Sequence, residues 1–442
     1  MTKVLIIGGG IAGPTLAVAL TKIGLEVELF EAQPADAPQR GSWLNFQANG
    51  LDALRSIGVG HWVEELGYPV ETMSFINGRG KELGRMPMAF RRPDGLSSRM
   101  VPRAELFTAL AEMARHHGVT VHHNKRLASA RNTDTGVVAR FEDGTEATGD
   151  LLVGADGIHS TVRRIIDPAA PAPRYVPVLN AGEYIPDFSV PADPHDFRMQ
   201  FGTRAFFAWM NTDDGGAVWF ANPPMKQEPA KGVLSGMTDA DWRRWLHELM
   251  DGDTGPAARI IDATPGPIHG FTTYDMPVVR RWHDGSRMII IGDAAHATSP
   301  AAGQGASMSL EDAVILAKCL RDCPSTASAF TTYESLRRER VEKIVENGHR
   351  SSSDKAAGPI MRVLRDAILP GKFRAAAKDG GASMMWLQGH HIDFEERVVP
   401  ATGEPDSRGL GARRLGARRL CDSTTTRLDA SRLSARRLRP VP

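Results

Sequence analysis

The sequence predicts an α/β protein: an open parallel sheet wound with helices, an inserted antiparallel β-sheet, and a carboxyl-terminal helical segment. Three observations predict it. The apolar run KVLIIG (residues 3–8) passes through a glycine cluster into a helical pattern and then a second apolar run, EVELFE. Two later apolar runs, DLLVGADG and RMIIIGDA, each end in glycine and aspartate. Between Tyr175 and Ala221 the pattern changes to short alternating, aromatic-rich strands.

The totals bound the rest. At 442 residues the chain suits two or three domains, and 42% hydrophobic with 24% charged residues is the profile of a globular enzyme. The net charge of +1 implies no general attraction to polyanions. Three cysteines, Cys319, Cys323 and Cys421, are too few for a disulfide framework, and the first two sit one helical turn apart, where packing accounts for them better than a metal does. No metal site is expected. No apolar run reaches the roughly 18 residues of a membrane helix, so no membrane partner and a cytoplasmic location are expected.

The first unit is the most specific. Gly8, Gly10 and Gly13 form G-x-G-x-x-G between a strand and a helix. The first glycine permits the turn, the second lets the backbone approach a pyrophosphate, and the third lets helix and sheet pack closely. Ala12, Leu16, Ala19, Leu20 and Ile23 recur at helical spacing and give that helix one face for the sheet. Glu31, at the end of the second strand, stands where an acid grips ribose hydroxyls. This is a Rossmann-like fingerprint for an ADP moiety, and it suits FAD and NAD alike.

The other strand ends narrow the choice. Asp156 and Gly157 close one apolar strand, with Ser160 and Arg163 following at helical spacing. Asp293 emerges from four apolar residues and a glycine, so its carboxylate is expected at the crevice, where it can hold the hydroxyls of a ribityl chain. Pro300 shapes the loop that follows. Gly303 and Gly305 then lead into a helix marked by Leu310, Val314 and Ala317, whose amino end suits a developing negative charge such as that of a reduced flavin.

In the alternating region, FRMQF, RAFFAWMN and AVWFAN read as strands and TDDGG as a hairpin turn. Phe206, Phe207, Trp209, Trp219 and Phe220 cannot all face one pocket, because neighbours in a strand point opposite ways; half of them belong to a core. Arg198 and Arg204 are candidates for an anionic substrate, against the alternative of arginines on a solvated face. His296 in DAAHA is read as packing or bonding locally rather than as an acid or base. The last 42 residues hold ten arginines against four acids in near-repeats such as LGARRLGARRL, without aromatic residues for base stacking. They read as a disordered Arg-rich tail, so no nucleic-acid partner is expected.

GGGIAG, GADGIHSTVR and GDAAHATSPAAGQGASMSLEDA together resemble the three motifs of the single-component FAD-dependent aromatic monooxygenases, the para-hydroxybenzoate hydroxylase-like group. VPRAELFTAL (residues 101–110) resembles that family's arginine-bearing strand-helix entry, with Arg103 at the matching position. The resemblance covers residues 1 to about 395. It implies bound FAD, with Glu31 at the adenosine ribose, Arg103 and Asp293 along the linker and ribityl chain, and Gly305 and Ala306 near the ring. Asp156 falls in the motif tied to both FAD and the nicotinamide donor, and Arg40 and Gly41 in the segment that lets the flavin swing. Ser307 stands where many relatives carry asparagine.

The implied domains are a discontinuous FAD-binding domain (1–72, 98–172 and 271–325), a substrate-binding sheet domain (73–97 and 173–270), a helical segment (326–398) and the tail (399–442). The implied reaction is NADPH- or NADH-driven hydroxylation of an aromatic or polycyclic small molecule with O2, through a flavin C4a-hydroperoxide, by a monomer or homodimer. Epoxidation, Baeyer-Villiger-type oxygenation and flavin binding without turnover remain open on the same scaffold. An apolar cavity lined by methionine and aromatic residues is expected above the ring, to which MSFING and RMPMAF contribute.

Overall fold

The computed structural model describes residues 1–37, 43–87, 94–355, 364, 366–371, 373–374 and 382–398. Arg40, Gly41 and the Arg-rich tail 399–442 lie outside the described residues, as do residues 88–90 of RMPMAF.

The glycine-acid strands do share one sheet. It has five parallel strands in the order Met288–Ile290, Leu151–Gly154, Lys3–Ile7, Glu26–Phe30, Thr120–His122. Val4, Leu5, Ile6, Leu152, Val153, Ile289 and Ile290 are buried, as continuous apolar strands covered on both faces must be. The fingerprint helix Ala12–Lys22 lies against it, with Leu16, Ala17, Ala19 and Leu20 fully buried. Side by side, the strands bring Gly8, Glu31, Asp156 and Asp293 to one end of the sheet, the end where parallel α/β sheets bind ligands.

The inserted sheet has seven strands, in the order Gly270–Asp275, Arg174–Ile185, Ala217–Asn222, Phe206–Asn211, Asp196–Phe201, Thr72–Asn77, Glu82–Pro87. The first five and the last two pair antiparallel, with the hairpin turn at Thr212–Gly216. Thr72–Asn77 joins Asp196–Phe201 in parallel, a departure from the purely antiparallel expectation. More than a hundred residues separate these two strands, so no tight hairpin constrains their direction.

Alternation divides the aromatic residues as expected. Phe207, Trp209 and Trp219 pack with Trp242, Leu246, Ile260 and Ile261 from the helices Asp239–Met250 and Ala257–Ala263. Phe207 and Trp219 stack at 5.3 Å, an arrangement worth about 0.5–1.5 kcal/mol beyond burial. Phe206 and Phe220 point the other way, into a second cluster with Phe197, Met210, Val218, Val70 and Met100.

Val70 and Met100 come from beside and within a small sheet, Trp43–Phe46, Arg99–Pro102 and Tyr68–Pro69, which is wedged between the second cluster and the main core. Tyr68 of that sheet and Tyr184 of the large one both donate to Asp214 at the hairpin tip, tying the two together. The region after Cys323 is helical as expected: Thr326–Lys355, 30 residues long, packs against the 18-residue helix Gly305–Asp322.

Candidate functional site

The fingerprint turn is built around close approaches. Gly8 has φ +109°, and a Cβ there would lie 2.3 Å from the Ala155 carbonyl oxygen; at Gly13 it would lie 1.9 Å from the Gly8 carbonyl oxygen. Gly10 differs, because a Cβ there meets no protein atom within 4 Å. On that side the backbone of the turn is open rather than packed on its own fold. Glu31 accepts the Gly9 amide at 2.6 Å and the Gln33 amide at 2.8 Å, which holds the acid at the rim of the turn.

Asp156 does not face the crevice freely. Its carboxylate accepts from the Ser160 hydroxyl at 2.5 Å and from the amides of Thr161 and Val162 at 2.7 and 3.1 Å, capping the short helix Thr161–Ile166. Burial raises its pKa, and those three donors oppose the rise. Gly157 supplies a left-handed turn residue at φ +74°. Arg163, 2% exposed, reaches the carbonyls of Ile158 and Ala294 and binds this helix to the segment after Asp293.

Asp293 opens a one-turn helix directly after Gly292, which has φ +59° and no room for a side chain: the Ser309 hydroxyl and Ala12 Cβ would lie 2.9 and 3.4 Å from it. The fingerprint helix and the Asp293 turn therefore touch. Burial raises the Asp293 carboxyl above its ordinary value, and the guanidinium of Arg103 opposes the rise. Arg103 itself begins the helix Arg103–His116, exposed and lying over the Phe107 ring at 5.1 Å. Acid and arginine, 190 residues apart in the chain, are near enough for their charges to interact.

Pro300 begins a single 3-10 turn, Pro300–Ala302, and Gly303 follows in the left-handed region at φ +61°. The helix Gly305–Asp322, called the ring-loop helix for the role the resemblance implies, begins where a Cβ on Gly305 would lie 4.0 Å from Asp293 Oδ1, so this loop and the acid border one space. Ala306 is partly buried on the main core. Ser307 faces away, its hydroxyl packed against Gly50 without a hydrogen-bond partner.

His296 bonds locally: its Nε2 lies 2.6 Å from Asp312 Oδ2, both side chains being buried. Asp312 also accepts the Gly292 amide at 2.8 Å and Arg337 Nε at 2.7 Å. Burial would raise this carboxyl, but His296 and Arg337 hold it well below the usual range. The neighbouring Glu311, equally buried, meets Arg337 at 2.7 Å and Arg340 at 2.8 Å. Against the cost of burial these guanidinium groups hold it at about 2. Asn49 Nδ2 bridges Glu311 at 2.6 Å and Gln304 at 3.0 Å.

Sequence reasoning missed Asn49, Glu311, Asp312 and Arg337. Two consecutive acids, flanked by Leu310 and by Ala313 to Ala317 in a mostly buried helix, were the available signal.

Arg198 and Arg204 do not reach the second cluster. Arg198 pairs in register with Trp209, on the helix-covered face, and donates to Asp196 at 3.1 Å. Arg204 bonds to the Glu248 carbonyl and to Asp251. The face opposite carries Met73, Phe75, Met199, Phe206, Val218 and Phe220. Phe373 stacks on Phe75 at 4.2 Å, over Gly84, where a Cβ would lie 2.5 Å from its ring. Among the described residues no cluster could hold a metal ion, and no helix is long and apolar enough to cross a membrane.

Residues 1–348 match the family model described as FAD binding domain. The chain is 31% identical over 349 residues to the aurachin C monooxygenase/isomerase of Stigmatella aurantiaca, covering 78% of this chain and 88% of that protein. It is 29% identical over 347 residues to the FAD-dependent urate hydroxylase of Klebsiella pneumoniae, with the same coverage. Against 3-hydroxybenzoate 6-hydroxylase of Klebsiella oxytoca it is 26% identical, covering 88% of this chain and 97% of that one. Among solved structures, Klebsiella pneumoniae HpxO complexed with FAD and uric acid superposes with a TM-score of 0.78 at 25% identity, over 87% of this chain and 96% of that chain.

Proposed function

Because the chain belongs to the FAD-binding family of flavoprotein monooxygenases, an FAD-dependent hydroxylase of aromatic compounds, we propose that it uses NADPH or NADH to hydroxylate a planar, largely apolar aromatic or polycyclic molecule. The observation that carries the substrate class is the second cluster. It is an apolar sheet face, turned from the covering helices, on which the partly buried Met73, Met199, Phe201 and Phe220 flank a buried core of Phe197, Phe206 and Met210. Such a surface favours stacking and burial over ion pairing. The names of relatives acting on urate, aurachin C and 3-hydroxybenzoate fit planar aromatic substrates.

The residues fit the cofactor. Gly10 offers its open backbone to the pyrophosphate, Glu31 the adenosine ribose, and Arg103 with Asp293 the linker and ribityl chain. Gly157 and the capped Asp156 shape the floor between them. Pro300, Gly303, Gly305 and Ala306 border the ring. When bound, FAD supplies electron transfer from the nicotinamide and activation of O2, chemistry that no side chain here provides. The chain's own work is to hold, orient and keep dry. The amides that open the ring-loop helix carry a partial positive charge, which would favour the negative charge of a reduced flavin held beside them. The apolar sheet face excludes water and positions the substrate; orientation of this kind contributes on the order of 7 kcal/mol.

The test is NADPH and NADH oxidation by the FAD-loaded protein, with and without a panel of phenols and polycyclic compounds. Stimulated oxidation, with one atom of 18O2 entering the product, supports the reading. Oxidation indifferent to every aromatic compound, or stimulated best by anionic aliphatic ones, overturns it.

A further inference from the structure

We propose that Asn49 is a positioning residue for the flavin. It transmits the buried Glu311, Arg337 and Arg340 charge cluster to Gln304 and thereby fixes the amides of Gly305 and Ala306. The inference rests on the proposed placement of that loop at the flavin ring.

Gln304 is the residue immediately before the ring-loop helix, and its backbone has φ −124° and ψ −8°. Whatever fixes it also fixes the direction of the next two amides. Its neighbour Gly303 is left-handed, and glycine at that position gives no stiffness of its own. The stiffness comes from the side-chain amide. Asn49 Nδ2 donates to Gln304 Oε1 at 3.0 Å while Gln304 Nε2 reaches back to Asn49 Oδ1 at 3.4 Å, a two-way amide pair. Both residues are almost fully buried, at 0% and 1% exposure, so water offers no substitute partner.

Asn49 is held from behind as well. Its Nδ2 also donates to Glu311 Oε1 at 2.6 Å, and that oxygen takes Arg340 Nη2 at 2.8 Å. The other oxygen takes Arg340 Nε at 2.9 Å and lies 2.7 Å from Arg337. A carboxylate gripped by two guanidinium groups cannot turn, so the amide it anchors cannot turn either. The adjacent acid, Asp312, performs the parallel task for the Gly292 amide at the Asp293 turn. Arg337 meets both acids, so one buried arginine braces both the Asp293 turn and the start of the ring-loop helix.

Side-chain chemistry at position 49 is narrowly constrained. Leucine, branched alike at Cγ, would leave Gln304 unpaired; aspartate would set a second carboxylate against Glu311. Gly50 next to it has no space for a Cβ, which would lie 2.7 Å from the Ser307 hydroxyl, so the helix cannot shift to compensate.

The experiment uses the FAD-loaded full chain, with Asn49→Leu, Gln304→Leu, their double variant, and Leu54→Ala as a control. Leu54 is fully buried on the same helix and lies outside the amide chain, so its truncation lowers stability alone. The reduction potential of bound FAD is measured by dye equilibration, alongside the visible spectrum and melting temperature. Asn49→Leu is expected to lower the preference for reduced over oxidised FAD about tenfold, equivalent to about 30 mV for a two-electron couple. Gln304→Leu should give the same shift, the double variant no more than either single, and Leu54→Ala a lower melting temperature at an unchanged potential.

An unchanged potential in Asn49→Leu overturns the proposal, as do additive shifts in the double variant or an equal shift in Leu54→Ala. Wild-type protein that binds no flavin would sink the functional reading itself, a result distinct from flavin bound normally with its potential unmoved.

Discussion

Nη1 of Arg337 lies 2.7 Å from Oε2 of Glu311, with the arginine side chain 1% exposed and the glutamate fully buried. Removing one member of a buried pair leaves an uncompensated charge, which costs about 3–5 kcal/mol. Arg337→Met should therefore lower unfolding free energy by that order, read from urea or thermal melts. A loss under about 1 kcal/mol would show the pair to be nearly neutral.

Acid should undo this cluster. The folded-state value of Glu311 is about 2, below its ordinary 4.5. Its contribution to stability is thus full above pH 4.5 and is lost as pH falls towards 2. Melting temperatures of wild type and Glu311→Gln, followed from pH 6 to pH 2, should converge at the acid end.

Asp293 has the opposite sign. Its folded value is raised, so the ionised carboxylate costs the flavin-free protein stability at neutral pH, and that cost vanishes as pH falls below about 3.8. Asp293→Asn should stabilise the flavin-free protein at pH 7. It should also weaken FAD binding by about 1.5–3 kcal/mol, the worth of a charged hydrogen bond. Isothermal titration with FAD and a thermal melt check the two effects separately.

Gly10→Val should fold and melt like wild type, because a Cβ there meets no protein atom. It should nevertheless purify colourless if, as proposed, that space takes the pyrophosphate. The ratio of flavin to protein absorbance decides it; a fully yellow variant would contradict the placement.

Removing residues 401–442 should leave flavin content and substrate-stimulated oxidation unchanged, since the family match ends at residue 348. Loss of either in the truncated protein would show that these residues serve the catalytic unit.

The motifs at the strand ends were legible because each is local. A glycine that must adopt φ +109°, an acid that must follow a parallel strand and an apolar run that must be covered on both faces all declare themselves within a few residues. The division of the aromatic residues in the seven-stranded sheet was legible for the same reason, since pleating alternates every side chain. By itself, then, the chain's order of residues determined the α/β class, the dinucleotide fingerprint and the two faces of the inserted sheet.

Only the tertiary structure decided which faces and charges meet. SLRRERVEK reads only as part of a charged helical segment, and nothing within it shows that Arg337 and Arg340 turn inward to acids some 25 to 29 residues away. Asp156 reads as a ligand-facing acid, yet its oxygens cap their own helix. Asn49 looks like any polar residue opening a helix until Gln304, 255 positions on, is folded against it. The physical reason is that a buried charge is tolerated only beside its partner, and the partner's identity is a property of the packed chain rather than of any segment of it.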